Sequence, residues 1–272
     1  MPILMLGLLT LLPLAWLLGE PWWTEKRRER LRRQPFPNEW REILKRRVPQ
    51  VRRLPVDLQL QLKRHMQVFL AEKAFIGCDG LVVTPEMRVT IAAQACLLLL
   101  NRRRPRYFPK LRQILVYPGA FIVNRPATDG AGVLQEQRQV LAGESWTQGQ
   151  VILSWQDALE GAAIADDGRN VVIHEFAHQL DQEKGHANGA PSLPRTQYKA
   201  WSRVMQAEFQ QLQWQARQGQ ESLLSHYGAT DPAEFFAVSS EVFFEQPLPL
   251  AQRHPALYEQ LSRYYRVNPL SW

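Results

Sequence analysis

His174-Glu175-Phe176-Ala177-His178, entered through the apolar run Val171-Val172-Ile173, is the stretch on which the reading of this chain turns. On an α-helix, residues four apart lie one turn above each other, so both imidazoles project to the same side. Two His in that relation can bind one Zn²⁺, and the Glu beside them can take a proton from a water at the metal. The pattern predicts the core of a zinc-dependent peptidase. Three fixed positions also arise by chance in unrelated chains, as ordinary helix histidines, so the surroundings have to decide. Here they favour a helix. Phe176, Ala177 and Leu180 supply a face to bury, Asn170 stands as an N-cap after the turn Gly168-Arg169, and Gly185 follows as a stop. The polar face then carries His174, His178 and Asp181.

The chain around this helix is 272 residues long, 45% hydrophobic and 22% charged, enough for one globular domain with an appendage. It has no low-complexity tract or internal repeat, and its two cysteines, Cys78 and Cys96, stand in apolar settings that suit core residues better than a disulfide framework. Residues 2–19 are uncharged and rich in Leu, at the short end of what crosses a bilayer. Trp22 and Trp23 follow as an interfacial belt, and then a basic block runs from Lys26 through Arg53. A cleaved signal peptide would carry its positive charge before the apolar run and a small-residue cleavage site after it. This chain has the reverse. The positive-inside rule therefore predicts a single N-terminal transmembrane helix of an inner membrane, with the catalytic domain cytoplasmic; a wholly cytoplasmic protein is the alternative. Anionic lipid headgroups are the expected partners of the basic block, which supplies much of the net charge of +7. Nucleic acid is not expected, because no binding motif and no interleaving of aromatic and basic residues is present.

Three divisions follow: a membrane anchor over 1–23, a basic juxtamembrane linker over 24–55 punctuated by prolines, and a catalytic domain over 56–272. Within the last, helices are expected over Val56 to Ala74 and Pro85 to Leu100, the second capped by Thr84. Strands are expected at Ile114 to Tyr117, Phe121 to Val123, Val133 to Val140 and Val151 to Trp155. Long helical patterns follow over Arg195 to Gln218 and from Asp231-Pro232 onward. Helices, a small sheet, then helices make an α+β domain. His65, on the first helix, reads as a surface or packing residue.

Catalytic zinc takes three protein ligands and keeps a position open, so a third is needed. His186 lies eight residues past His178, where a compact three-histidine site needs its third ligand at six, the place of Lys184. Glu234 is the better candidate, because its charge is embedded in Glu234-Phe235-Phe236 and such a charge needs a partner. Glu241, seven residues on, could hold a ligating imidazole by its other nitrogen, and Asp181 is the rival for that role.

Two stretches, His174-Glu175-Phe176-Ala177-His178-Gln179-Leu180-Asp181 and the run from Tyr227-Gly228-Ala229-Thr230-Asp231-Pro232 through Glu241 to Phe244, resemble the Mlc titration factor A family of zinc metallopeptidases. The resemblance spans roughly residues 60 to 270 and takes in Leu153-Ser154-Trp155. It implies a zincin-like fold of gluzincin type, related to the catalytic domain of anthrax lethal factor. It also implies one Zn²⁺ held by His174, His178 and Glu234, with Glu175 as general base and Tyr227 donating to the reacting carbonyl. Peptide or protein substrates, cleaved at an N-terminus in the manner of an aminopeptidase, and a transcription repressor as partner are implied likewise. The anchor and basic block depart from the soluble members of that family and set the repressor partnership apart from the chemistry. A regulatory protein that sequesters a repressor without catalysis is the alternative function. The strand Val151 to Trp155 is expected to present an edge to an extended substrate.

Overall fold

The computed structural model describes residues 20–128, 134–141, 143–146 and 149–272. The apolar stretch expected to anchor the chain lies almost wholly outside them. Among the described residues no helix is long and apolar enough to cross a membrane.

The segment expected to be a linker is instead part of the folded body. It forms α1 (residues 20–33), α2 (Asn38–Arg47) and a 3₁₀ turn (Pro49–Arg53). From it Ile43, Leu44, Val48, Val51 and Leu54 enter the core. Three of the prolines that suggested a linker are helix starts. Pro37 and Pro55 occupy N-cap positions and Pro49 a first-turn position, where a missing N–H removes no intrahelical bond. Part of the basic block is used internally. Arg28 donates to both oxygens of Glu72, at 2.7 and 2.9 Å, and lies over the Tyr107 ring, while Arg46 and Arg47 both engage Glu86.

Two core helices follow, α3 (Val56–Glu72) and, after strand β1 (Ala74–Gly77), α4 (Pro85–Leu97). The Thr84 hydroxyl accepts from the Met87 N–H and closes the first turn of α4, as its sequence predicts. His65 is a packing residue: it is buried on α3, and its Nδ1 shares a hydrogen bond with the Tyr107 hydroxyl at 3.0 Å.

The sheet comes next: β2 (Gln113–Tyr117), β3 (Phe121–Thr128), β4 (Leu134–Leu141), β5 (Gly143–Trp146) and β6 (Gln150–Ser154). Strands β1, β2 and β6 are parallel neighbours, with Ile114 opposite Val151 and Val116 opposite Leu153. β5 closes one side antiparallel to β6, and β3 and β4 form a separate antiparallel ribbon. β6 is therefore interior, against expectation, and the edge belongs to β5. Val151 and Leu153 are fully buried, which is what an interior strand covered by helices requires. β6 runs directly into α5 (Trp155–Ala163), with Ser154 as its N-cap. The α6 helix (Val171–Asp181) then packs against β5 and α4, and its Phe176 ring lies 4.7 Å from Phe108 and 5.6 Å from Phe69 of α3. α7 (Tyr198–Gln218), α8 (Pro232–Glu245), α9 (Pro247–Arg253) and α10 (Pro255–Tyr265) complete the chain. α8 lies along α6, and that contact builds the site.

Candidate metal centre

Capping sets the start of both site helices. The Asn170 side chain accepts from the Ile173 N–H at 3.0 Å, fixing where α6 begins and so which face carries His174 and His178. At α8, the Asp231 carboxylate accepts from the N–H groups of Ala233 and Glu234, at 2.8 and 3.0 Å, with Pro232 in the first turn. Glu234 is thus placed in the first turn of α8, facing the two imidazoles.

The three side chains converge. His174 Nε2 lies 2.9 Å from Glu234 Oε2 and 3.2 Å from His178 Nε2. The third side of the triangle, His178 Nε2 to Glu234 Oε2, is 3.4 Å. Bonds of about 2.0–2.1 Å at tetrahedral angles place ligand atoms about 3.3 Å apart, so the triangle fits a zinc-sized ion and leaves the fourth corner open. Among the described residues these three form the candidate metal cluster. Burial opposes charge on His174, but the Glu241 and Glu234 carboxylates outweigh it and hold the imidazole well above its ordinary value. Burial likewise works against the Glu234 carboxylate, and bonds from both imidazoles overcome it and hold its pKa far below the ordinary range. A concentration of negative charge on two imidazoles is what a divalent cation would neutralise.

Around the triangle each further residue has a separate task. Glu241 Oε1 accepts from His174 Nδ1 at 2.8 Å, which selects the tautomer whose Nε2 lone pair faces the cluster. The other oxygen of Glu241 accepts the Asn170 N–H at 2.5 Å, and Asn170 Nδ2 donates to Gly161 O and Glu245 Oε1. Asn170 therefore ties α5, α6 and α8 together. Its sequence context marked only the cap. Asp181 does not take the orienting role that was its alternative. Its Oδ2 accepts from the N–H groups of Asn188 and Gly189, at 2.7 and 2.6 Å, and so fixes the loop after α6. Gly189 has φ +75°, and a Cβ there would meet the Pro232 carbonyl oxygen at 2.3 Å. That close approach docks the loop on the start of α8, so Asp181 positions Glu234 through the backbone. His186 is not in the triangle, though it lines the cleft nearby.

Glu175 is buried beside the cluster, and burial, opposed by His174 and His178, lifts its carboxyl to about 7. Gly143 of β5 lies directly on it. A Cβ at Gly143 would come within 2.6 Å of Glu175 Oε1, so the edge strand and the carboxylate touch through a missing side chain. Sequence offered no signal for this residue, since Gly143-Glu144-Ser145-Trp146 has no strand alternation. Tyr227 stands on a 3₁₀ turn (His226–Ala229) whose N-cap is Ser225, half exposed, with its ring 5.9 Å from that of His174. Cavities of about 400 Å³ on the α5 side and about 450 Å³ on the α8 side share Gly143, His174, Glu175 and Tyr227 as walls. The cleft thus has room for a chain on both sides of Glu175.

Comparison with known proteins agrees with this geometry. An uncharacterized protein of Synechocystis sp. is 41% identical over 259 residues, 94% of either chain. Mlc titration factor A of Klebsiella pneumoniae subsp. pneumoniae is 35% identical over 235 residues, covering 85% of this chain and 87% of its own. The protein of that name from Escherichia fergusonii is 34% identical over 251 residues, covering 91% and 92%. The resemblance to Mlc titration factor A holds well beyond the motifs that first carried it. The glucose-regulated metallo-peptidase M90 family model matches residues 22–266, taking in the segment first read as a linker, and the chain belongs to that family.

Proposed function

We propose that this chain is a zinc-dependent peptidase in which Glu175 is the general base, His174, His178 and Glu234 hold the metal, and Tyr227 stabilises the reacting carbonyl. The observation that carries the reading is the ligand triangle of 2.9, 3.2 and 3.4 Å with a buried carboxylate beside it. Bound zinc supplies a Lewis acid that lowers the pKa of water to about 7 and polarises a carbonyl oxygen. The protein's own groups do the rest. Glu175, close to neutrality in pKa, takes a proton from the attacking water and returns it to the leaving amine. The Tyr227 hydroxyl donates to the oxygen on which charge develops. Glu241 keeps His174 in its ligating tautomer. The outer edge of β5, with Gly143 against Glu175, suits an extended peptide added by backbone pairing, which gives affinity with little side-chain selection. Cleavage at an N-terminus, as in an aminopeptidase, is the form suggested by the family resemblance.

Glu175→Gln should leave zinc content at one ion per chain and reduce kcat by at least 10²–10⁴-fold, the usual share of a general base. Glu234→Ala should lose the zinc itself. Elemental analysis and a peptide-hydrolysis assay read the two effects apart, and an active Glu175→Gln enzyme would remove the assignment of the base.

A second reading rests on the name of the relatives. Mlc titration factor A refers to Mlc, and a member of this family that sequesters a transcription repressor would need no turnover. Full regulatory effect of the Glu175→Gln chain in cells would favour it. The apolar stretch and the basic residues behind it support attachment to the cytoplasmic face of a membrane. Because the helical residues 20–33 are held to the folded body through Arg28, deletion of residues 1–19 should move the protein from the membrane fraction to the supernatant without unfolding it.

A further inference from the structure

A cavity of about 620 Å³ lies where the turn after α4, the turn after α6 and the end of α10 meet. Arg102, Arg103, Arg104 and Arg106 line it from the first, Arg263 and Arg266 from the last. Glu183 is the carboxylate among the lining residues, and it stands 4.0 Å from Arg106, at the limit of an ion pair. Arg263 is partnered by Glu259 on its own helix. Among the described residues, Arg103 and Arg104 have no carboxylate partner. So many guanidinium groups with so little negative charge repel one another, and a bound anion relieves that repulsion.

Arg102 adds a second observation. Its guanidinium is held over the Tyr264 ring at 5.0 Å. Its Nε and Nη2 are closed off from solvent, and the Tyr264 hydroxyl beside it supports its charge, so this guanidinium is fixed in the wall of the cavity. The backbone around it is also fixed: Asn101 and Arg266 both take the left-handed conformation, with φ of 55° and 60°. Asn101 Nδ2 donates to the Arg266 carbonyl at 2.9 Å, joining the two arginine-bearing segments.

We propose that this cavity binds a small molecule carrying a phosphate group. Guanidinium forks match phosphate oxygens in pairs, and a doubly charged anion answers several of them at once. The volume is that of a small-ligand site. The absence of an aromatic-lined track suits a small molecule better than a polynucleotide.

The test uses the full-length chain and isothermal calorimetry with glycerol 3-phosphate at constant ionic strength, with glycerol as the uncharged control. One site per chain should saturate, and glycerol should give no heat. The double variant Arg103→Glu/Arg104→Glu, changed only at exposed positions, should bind at least tenfold more weakly with an unaltered melting temperature. Arg102→Lys, which keeps the charge and loses the fork, should also weaken binding several-fold. Glu175→Gln should bind as the parent does. Absence of saturation at 10 mM, or equal binding by the charge-reversed variant, would overturn the proposal. So would binding to vesicles of anionic phospholipid that needs these arginines when glycerol 3-phosphate does not bind, since the occupant would then be a lipid headgroup.

Discussion

Individual residues in this site are set by what surrounds them rather than by their type. Four glutamates on α6 and α8 stand at or near the cluster, each in different surroundings. Glu234 stays ionised on the two imidazoles, and Glu175 is lifted by burial to about 7. Glu241 is engaged by His174 and Asn170. Glu245 is carried furthest. Burial moves it from 4.5 to about 9, opposed by the Asn170 amide and aided by Asp167 and Glu241. A folded pKa above the unfolded one means that the folded chain keeps a proton which the unfolded chain releases. The contribution is complete below pH 4.5, declines as pH rises and is lost at about 9. Glu245→Gln keeps the acceptor for Asn170 and removes the proton from the equilibrium. Its melting temperature should exceed that of the parent at pH 8–9, with the gap closing toward pH 5. A gap that is constant across this range would show that Glu245 does not titrate in it.

Among the elements, β5 is the one whose role in the site is most exposed to test. It is a short edge strand, so its loss costs the fold little, yet its first residue touches Glu175. Gly143→Ala should reduce kcat/KM by about tenfold or more, about 1.4 kcal/mol in transition-state stabilisation, by displacing Glu175. Zinc content and melting temperature should change little. If activity persists, the strand must yield where the contact is drawn. The same element shows where sequence reading stops. α6 and α8 were legible because each has a cap of recognisable chemistry, Asn170 and Asp231-Pro232, before an apolar period. β5 has neither cap nor alternation. α5 was hidden because Trp155 reads as the end of a strand, whereas Ser154 caps a helix that begins there. α2 was hidden behind Pro35 and Pro37, since a proline marks a helix start and a linker equally well when charge surrounds it. The ligand set was legible because an acidic residue among phenylalanines needs a partner. The roles of Asp181 and Asn170 were not, because they act on backbone groups brought near only by the fold.

Across the whole molecule, the metal would join parts of the chain that the sequence keeps far apart. His174 and Glu234 are separated by 60 residues, with α7 between them. The contact between α6 and α8 is otherwise held by Glu241 on His174 and Asn170, and by the loop docked through Gly189. A ligand that binds only the folded chain stabilises it by RT ln(1 + [L]/Kd), about 4 kcal/mol at a thousandfold excess over Kd. For a chain of this size each kcal/mol moves the melting temperature by roughly 2–4 °C. Removal of metal by a chelator should therefore lower the melting temperature by about 10 °C and abolish peptidase activity. Zn²⁺ should restore both and Mg²⁺ neither, because two imidazoles and one carboxylate suit the former and not a cation that prefers six oxygens. The Glu234→Ala chain sets the baseline: it should melt near the chelated parent and respond little to either treatment. If the parent melts identically with and without chelator while Glu234→Ala is destabilised, Glu234 serves the fold as the partner of His174 and not as a ligand.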